Sequence, residues 1–327
     1  MSPGRLPGAP APDAIVIGAG VIGLTTAVVL LEAGVAVEIW TDRALLETTS
    51  ANSGAIWGPF LSTIDDRVLE WSFDTLRQLQ GLARNPRSGV AIVAGSMLAD
   101  FEAEIPDWTH RIEEAAELIR HNLPDPYLVS WRYTVPVIDA PRYLSYLAGR
   151  FRARGGKIHR RRVVSFKEAL GHAHHLINCA GLGGAYLAGD ELVRKCKGQL
   201  VIVENPGLNE FMAERGDGPE LMYILPQGDK VVLGGTAEWD FDDVSLDLAA
   251  AERIIQRCVR VCPALAGSRV LGHRVGVRPC RDMVRLEHEV LPNGQHVVHN
   301  YGHGGSGISV SWGCANAVLA LIDNCRS

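Results

Sequence analysis

The sequence has no excess of positive charge and no hydrophobic run long enough to span a membrane. Its 32 lysine and arginine residues are outnumbered by 37 aspartate and glutamate residues, so the net charge is −5 at pH 7. Because binding to nucleic acid or to an anionic membrane relies on a basic face, we expect neither partner. The basic run HRRR, residues 159–162, lies between apolar segments. We interpret it as a strand or turn on a solvated face, not as a phosphate-binding patch.

Cysteines are few, and their spacing does not favour a metal site. The seven cysteines stand at positions 179, 196, 258, 262, 280, 314 and 325, and no two of them form a CxxC pair. Structural zinc sites usually draw ligands from such pairs, so we expect no metal. An odd number of dispersed thiols is typical of a reducing compartment.

The first 13 residues lack the apolar core of a secretory signal. They contain four prolines and two glycines, which is a composition typical of disordered segments. We predict a disordered leader over residues 1–13 and, together with the dispersed thiols, a cytoplasmic location. The whole chain of 327 residues is 47% apolar and 21% charged, which predicts a large composite domain or two lobes around a sizeable core.

A dinucleotide-binding pattern occupies residues 14–40. A short β-branched run, AIVI at 14–17, enters the sequence GAGVIG, and a helical stretch and a second strand at 35–40 follow. In such a βαβ unit the first glycine makes a tight turn, the second lets the backbone approach a pyrophosphate, and the third lets helix and strand pack closely. The free N–H groups of the helix N-terminus attract the phosphates. The predicted binding residues here are Gly18, Gly20, Val21, Ile22 and Gly23.

The next segment bears on which dinucleotide is bound. Asp42 and Arg43 follow the second strand and are expected at the adenosine end. A simple NAD-binding domain usually continues with another strand–helix repeat, whereas residues 47–59 are a run of hydroxyl and glycine residues. Such a run can lie along a long cofactor and donate hydrogen bonds to it, or it can be a polar surface loop. The segment alone leaves both interpretations open.

The middle of the chain alternates between two kinds of structure. A helix is predicted over residues 67–83, followed by short strands, and another helix over 140–154. A buried strand at 175–178 then enters the glycine turn NCAGLGG, as expected of a chain returning to a nucleotide-binding sheet. Two further strands, 199–203 and 230–236, enclose a loop at 204–220. The chain is therefore predicted to cross between two lobes several times.

The C-terminal third combines arginines with a glycine-rich turn. Arg278, Arg281 and Arg285 lie close together in GVRPCRDMVRLE, and an arginine suits a planar, bidentate hold on a carboxylate. We expect one of the three to be such an anchor and the others to form surface pairs. A strand at 297–301, the turn GHGGSG and a helix at 308–322 follow. The helix N-terminus offers positive charge to an anion, such as the N1/O2 edge of a reduced flavin.

Six segments together resemble the D-amino-acid oxidase / D-aspartate oxidase family of FAD enzymes. They are IVIGAGVIGLTTA, TDRALLETTSANSGAIWGP, LINCAGLGG, MYILP, GVRPCRDMVRLE and HNYGHGGSGISVSWGCA, in this order from residue 14 onward. The resemblance implies an α/β fold with a Rossmann-like FAD-binding domain and an interleaved antiparallel-sheet substrate domain. We expect the first over residues 14–60, 141–195 and 270–327, and the second over 61–140 and 196–269.

The resemblance also implies roles for individual residues. It gives Arg285 the bidentate contact to a substrate carboxylate, Tyr223 a hydroxyl contact to the same carboxylate, and Gly305 a carbonyl contact to the substrate amine. The residues implied along FAD, besides those of the first glycine turn, are Asp42, Arg43, Thr48, Thr49, Ser50, Gly54, Ala55, Ile56, Val163, Gly181, Gly304, Gly305, Ser306, Gly307, Ile308 and Ser309.

The reaction that the resemblance implies is oxidative deamination of a D-amino acid. The substrate Cα–H would lie over flavin N5 and leave as a hydride, so that orientation supplies most of the catalysis. Oxygen would reoxidise the flavin and become hydrogen peroxide, and the imino acid would hydrolyse to a 2-oxo acid and ammonia. The motifs supply no general base, and none is required if the amine arrives neutral. The implied partners are the amino acid and O2, and the oligomeric state stays open, with a homodimer as one option.

Several positions depart from the family pattern and leave the substrate side chain open. Pro219 stands where a second lid tyrosine can occur, and Arg215 stands near a lid arginine of D-aspartate oxidases, although Ala237 replaces another. Neutral D-amino acids are the leading expectation, and acidic ones are the alternative. The motifs also leave room for a glycine oxidase-like or pathway-specific amine or imino acid oxidase, an NAD-dependent dehydrogenase, and a catalytically silent FAD-binding or partner-binding protein.

Overall fold

The computed structural model describes residues 11–59, 65–112, 117–216, 218–239, 241–291, 294 and 296–326. Most of the predicted leader, residues 1–10, lies outside this part of the chain. The strands of the described ranges are β1 Ala14–Ile17, β2 Val37–Thr41, β3 Val90–Ala99, β4 Glu117–Ile119, β5 Val129–Ile138, β6 Lys157–Arg160, β7 His175–Asn178, β8 Arg194–Glu204, β9 Phe211–Glu214, β10 Glu220–Gln227, β11 Lys230–Thr236, β12 Val270–Val290 and β13 His296–His303. The helices are α1 Val21–Glu32, α2 Asp66–Ala83, α3 Ala140–Ala153, α4 Phe166–Leu170, α5 Leu182–Ala188, α6 Leu248–Val261 and α7 Gly307–Arg326.

A parallel group of strands contains the first glycine turn. β1 pairs in parallel with β2 and β7, β13 adds to β7, and β6 adds to β2. All four residues of β1 are buried, as expected of a parallel strand covered on both faces. The carboxyl ends of β1 and β2 and the N-terminus of α1 therefore meet at one edge, which is where open α/β sheets bind ligands.

The other strands form a mostly antiparallel group in the same sheet. Their order is β4-β5-β3-β9-β10-β11-β8-β12, and β12 continues to β13 in the parallel group. β12 pairs with β8 up to Cys280 and with β13 from Cys280 onward, with a register shift between Cys280 and Arg285. The predicted α/β class, with a Rossmann-like part beside an antiparallel part, is confirmed. The domain limits at residues 60, 140, 195 and 270 stay a prediction.

Three helices fix the C-terminal turn against this sheet. α7 packs on α1 and α2, and the backbone N–H groups of Trp312 and Gly313 donate to Thr75 Oγ1 on α2 at 3.1 and 3.2 Å. Trp312 Nε1 also donates to the hydroxyl of Tyr143 on α3 at 2.7 Å. No helix in the described ranges combines the length and the apolar character needed to cross a membrane.

Candidate active site

A large cavity follows the edge where the two groups of strands meet. Its volume is about 920 Å³. One end is lined by the β1–α1 turn and the end of β2, the middle by residues 48–56 and the turn before α7, and the other end by β10 and β12. Such a long cavity is of the size that binds a cofactor together with a small substrate.

The first glycine turn is shaped by close backbone contacts. Gly18 has a φ of +103°, a conformation that L-residues with a side chain rarely adopt. A Cβ on Gly23 would lie 1.9 Å from the Gly18 carbonyl oxygen, so Gly23 is needed for packing and does not line the cavity. Gly18, Gly20, Val21 and Ile22 do line it. This arrangement matches the separate tasks that the sequence pattern assigned to the three glycines.

The adenosine end of the predicted cofactor site contains more basic residues than expected. Asp42, Arg43 and Val163 line this end, and Arg161 and Arg162 line it too. The Arg161 guanidinium lies 3.9 Å from the centroid of the Trp40 ring. The strand predicted for the HRRR run is present as β6, and the chain that follows Arg160 brings Arg161 and Arg162 to the cavity.

The hydroxyl-rich segment at 47–59 lies along the middle of the cavity. Thr48, Thr49, Ser50, Gly54, Ala55 and Ile56 all line it. Thr49 Oγ1 donates to the Val277 carbonyl oxygen at 3.0 Å, and Ser50 Oγ accepts the Val21 N–H at 3.0 Å. These bonds tie the segment to β12 and to the start of α1. It is part of the cavity wall and not a free surface loop.

Buried polar atoms without a protein partner line the cavity at the C-terminal turn. Within the described residues, Asn300 Oδ1, His303 Nε2 and Ser306 Oγ are buried and accept or donate no hydrogen bond. Burial lowers the pKa of His303 to about 3, so its imidazole is neutral at physiological pH. Unpaired buried polar groups are costly, which favours a polar ligand at this turn. Gly181, Gly304, Gly305, Gly307, Ile308 and Ser309 line the same region.

Tyr223 and Arg278 meet at the opposite end of the cavity. The Tyr223 ring lies over the glycine pair of β11, where a Cβ on Gly234 would be 1.7 Å from Tyr223 Cζ. Burial raises the pKa of Tyr223, and the nearby Arg278 charge lowers it in part. Arg278 Cδ is 3.7 Å from the position that a Cβ on Gly305 would take. A guanidinium, a phenol and the bare turn backbone therefore face one space.

The guanidinium of Arg278 has no carboxylate partner among the described residues. Its Nη1 and Nη2 both donate to the Thr236 carbonyl oxygen at 3.0 Å, and Nη1 lies 3.5 Å from Cys196 Sγ. These bonds fix the guanidinium plane and leave its positive charge without an ion pair. Arg278 is thus prepared to bind an anion that enters the cavity.

Arg285, to which the resemblance gives the carboxylate contact, does not line the cavity. Its Nε donates to Glu287 at 2.7 Å, Nη1 to the Tyr301 hydroxyl at 2.8 Å and Nη2 to Glu289 at 2.9 Å. Two carboxylates neutralise its charge, so little remains for a substrate. Arg285 pairs with Tyr301 of β13, beyond the register shift that follows Cys280.

The third arginine of the group, Arg281, stabilises the cavity wall. Its Nε lies 3.1 Å from Asp190 Oδ2, and Asp190 also accepts the Tyr301 hydroxyl at 2.9 Å. Burial raises the pKa of Asp190. The hydrogen bonds from Leu192 and Tyr301 and the charges of the two nearby arginines outweigh this effect and hold the pKa below the ordinary value. Arg281 and Arg285 are therefore structural partners of one carboxylate.

Sequence reasoning grouped Arg278 with Arg281 and Arg285 but did not select it from the three. Gly198, Gln199 and Leu221 line the substrate end as well and carried no motif of their own. The neighbouring acidic residues could have identified Arg278 from the sequence, because Asp282, Glu287 and Glu289 all lie nearer to Arg281 or Arg285. The arginine farthest from them is the one that keeps a free charge.

Comparison with known proteins shows the family of the chain. The family model DAO, described as FAD dependent oxidoreductase, matches residues 13–321. The D-amino-acid oxidase of Rubrobacter xylanophilus is 41% identical over 309 residues, which cover 94% of this chain and 95% of that protein. The D-amino-acid oxidase of Streptomyces coelicolor is 40% identical over 317 residues, covering 94% and 96%.

A solved structure shows the same fold at low sequence identity. The glycine oxidase of Geobacillus kaustophilus superposes with a TM-score of 0.80 at 17% identity, covering 96% of this chain and 95% of that one. The family match decides between the two dinucleotides in favour of FAD, and the unpaired polar atoms of the cavity fit its ring. The chain belongs to the DAO family of FAD-dependent oxidoreductases.

Proposed function

We propose that this protein oxidises neutral D-amino acids to imino acids, which hydrolyse to 2-oxo acids and ammonia, and that O2 is the final acceptor. The observation that carries the proposal is Arg278, a cavity-lining guanidinium without a carboxylate partner in the described part of the chain, next to Tyr223 and Gly305. The D-configuration comes from the names of the relatives from Rubrobacter xylanophilus and Streptomyces coelicolor.

The substrate is held by three contacts in this proposal. Arg278 and the Tyr223 hydroxyl bind the carboxylate, and the Gly305 carbonyl accepts a hydrogen bond from the amine. These contacts fix the carboxylate and the amine, two of the four substituents of Cα, so the side of the cavity that accepts the side chain sets whether the Cα hydrogen points toward the C-terminal turn. Orientation of this kind can account for much of a rate enhancement.

The cofactor would be held by the residues that line the rest of the cavity. The β1–α1 turn and the N-terminus of α1 would bind the pyrophosphate, and residues 304–309 would line the ring. The chemistry that bound FAD supplies is acceptance of the hydride and transfer of the electrons to oxygen as hydrogen peroxide. Neutral His303 and the backbone of the turn surround that ring with dipoles and no fixed negative charge.

The position of Arg215 supports neutral substrates over acidic ones. Its guanidinium lies 5.9 Å from the Phe101 ring and 5.8 Å from the Trp131 ring, and it does not line the cavity. Met97, Ala213 and Leu221 are apolar residues at the substrate end. Arg281 also lines the cavity but is paired with Asp190, so an acidic side chain gains no contact from Arg215 and meets no unpaired arginine in Arg281. A cytoplasmic location remains part of the proposal.

Absorbance spectroscopy of the purified protein tests the proposal. We expect the yellow flavin bands after gentle purification and their loss when D-alanine is added without oxygen. D-aspartate should bleach them more slowly, and L-alanine should leave them unchanged. Bleaching by glycine or a secondary amine in preference to D-alanine would contradict the D-amino acid assignment, and the lack of bleaching by any amine would indicate a silent flavin-binding protein.

A further inference from the structure

Two cysteines lie together in the cavity wall beside Arg278. Cys196 on β8 is paired with Arg278 on β12. Two positions further along β12, Cys280 is paired with Arg194 of β8. Side chains two positions apart on a strand share a face, and diagonal neighbours on paired strands are within side-chain reach. Both Cys196 and Cys280 line the cavity. The two thiols therefore face the same space as the proposed substrate anchor.

Direct contacts connect these two thiols and the arginine. Arg278 Nη1 lies 3.5 Å from Cys196 Sγ, and Cys280 is the neighbour that most lowers the pKa of Cys196. Cys280 Sγ is also 3.6 Å from the position that a Cβ on Gly304 would take. The pair thus lies between the substrate anchor and the turn where the flavin ring is expected.

These contacts favour the thiolate form at Cys196. The hydrogen bond from Cys280, followed by the charge of Arg278, lowers the pKa of Cys196, whereas the pKa of Cys280 is raised. The other cavity cysteine, Cys179, has no such neighbours, and burial raises its pKa to about 12. Since the thiolate is the reactive form of cysteine, Cys196 differs in chemistry from the remaining thiols.

We propose that Cys196 and Cys280 form a peroxide-sensitive dithiol that closes to a disulfide in the wall of the substrate cavity. Cys196 is the peroxide-reactive thiol because it accepts a hydrogen bond from Arg278, and Cys280 is the resolving thiol. Both can be reached through the cavity, although Cys196 is only 2% exposed. The site is a second chemical function of the cavity, separate from substrate oxidation.

The reaction balances with hydrogen peroxide as the oxidant. The Cys196 thiolate attacks one peroxide oxygen, an S–O bond forms, the O–O bond breaks, and the departing hydroxide takes a proton to become water. The sulfur is thereby oxidised by two electrons to a sulfenic acid. Cys280 then attacks this sulfur, its proton leaves with the hydroxyl as a second water, and the S–S bond forms.

The supply of peroxide inside the cell rests on the proposed oxidase function. Peroxide formed at the ring would pass the dithiol as it leaves the cavity. The modification itself does not depend on turnover, because added peroxide can replace the product. A test with added peroxide therefore separates failure of the dithiol from failure of the oxidase assignment.

Differential alkylation followed by peptide mass spectrometry tests the dithiol in the flavin-containing protein. After brief exposure to hydrogen peroxide we expect a peptide pair linked through Cys196 and Cys280, with both thiols restored by a reductant. Loss of free Cys196 should be on the order of tenfold faster than loss of Cys262, the control thiol at the end of α6. A parallel sample that turns over D-alanine, with and without catalase, measures how much of the oxidation comes from peroxide that the reaction itself produces.

Variants distinguish the peroxide-reactive thiol from the resolving thiol. In Cys280→Ser the sulfenic acid on Cys196 should persist and be trapped by a dimedone probe, whereas Cys196→Ser should leave Cys280 reduced. Cys262→Ser is the matched control and should still form the link. Equal oxidation rates at Cys196 and Cys262, or a linked pair that does not contain both Cys196 and Cys280, would overturn the proposal.

Discussion

Arg278 and Arg285 lie on one strand, seven residues apart, with different electrostatic surroundings. Glu287 and Glu289 bind Arg285 at 2.7 and 2.9 Å, whereas Arg278 donates to a backbone carbonyl and approaches a thiol. A guanidinium that already has two carboxylate partners gains little from a third, because it would first lose an existing bond. In the proposed substrate contact, the free charge, and not the position in the motif, identifies the anchor.

Replacement of these arginines tests that conclusion. Arg278→Gln removes the cation from the cavity, and we expect KM for D-alanine to rise about 10- to 100-fold, since a hydrogen bond to a charged group contributes roughly 1.5–3 kcal/mol. The matched variant Arg285→Gln should change KM by no more than a few-fold and should lower Tm, because Glu289 and Asp190 lose a cation. A peroxide-coupled assay and thermal unfolding measure both. The reverse pattern would restore Arg285 as the anchor.

At the scale of elements, the position of the C-terminal turn depends on how α7 packs against α2. A Cβ on Gly313 would lie 2.2 Å from the Trp71 Cα, so the two helices cross at their backbones. The N-terminus of α7 follows the turn that lines the cavity. The stability of α2 is therefore connected to the geometry of the site, and α2 begins with a capping residue, Asp65.

The cap of α2 makes a pH-dependent contribution to stability. Asp65 Oδ1 accepts the Val68 N–H at 2.8 Å, and this bond is the main cause of its lowered pKa. A carboxyl whose pKa is lower in the folded state stabilises fully above its unfolded pKa, near 4, and loses this effect as pH falls through the folded pKa. Asp65→Ala should cost about 1 kcal/mol at pH 7, and the loss should shrink below about pH 4.

Thermal unfolding between pH 7 and pH 3 measures this difference. Asp65→Asn is the control, because asparagine also caps helices well but does not titrate. We expect Asp65→Asn to unfold close to the unmodified protein at pH 7 and to show a weaker acid dependence. If both variants lose the same stability at pH 7, the charge and not the cap is responsible.

At the scale of the whole molecule, the cavity joins segments that are distant in sequence. Its walls come from residues 17–22, 40–56, 161–164, 179–183 and 300–309, together with β10 and β12. A ligand that contacts all of these segments binds only the folded chain. Such a ligand stabilises the native state in proportion to the logarithm of its concentration.

Removal of FAD should therefore lower Tm, and its return should restore it. At a free FAD concentration of 100 times Kd the expected stabilisation is about 2.7 kcal/mol. Differential scanning fluorimetry of the apoprotein over a series of FAD concentrations measures the effect. Arg278→Gln should show the same FAD dependence, since its change is confined to the substrate end. A Tm that does not respond to FAD would contradict the assignment of the cavity.

Local sequence patterns determined the elements and the cofactor end of the site. Helices were expected over 67–83 and 140–154, and the structure has Asp66–Ala83 and Ala140–Ala153. The glycine turn, the hydroxyl-rich segment and the C-terminal turn all line the cavity. These features depend on neighbours within a few turns of chain, because glycine spacing, helical periodicity and capping act over short sequence distances.

Tertiary structure alone decided which side chains of β12 face the cavity. The pairing of β12 with β8 and β13 and the register shift after Cys280 set the direction of Arg278 and of Arg285. The same register brings Cys196, 82 positions before Arg278, to its guanidinium. Strict alternation would place Arg278 and Arg285, seven residues apart, on opposite faces, whereas the shift pairs Arg285 with Tyr301, on the face that Cys280 and His303 share. The sequence therefore named the arginines, and the tertiary partners of each side chain decided which one keeps a free charge at the cavity.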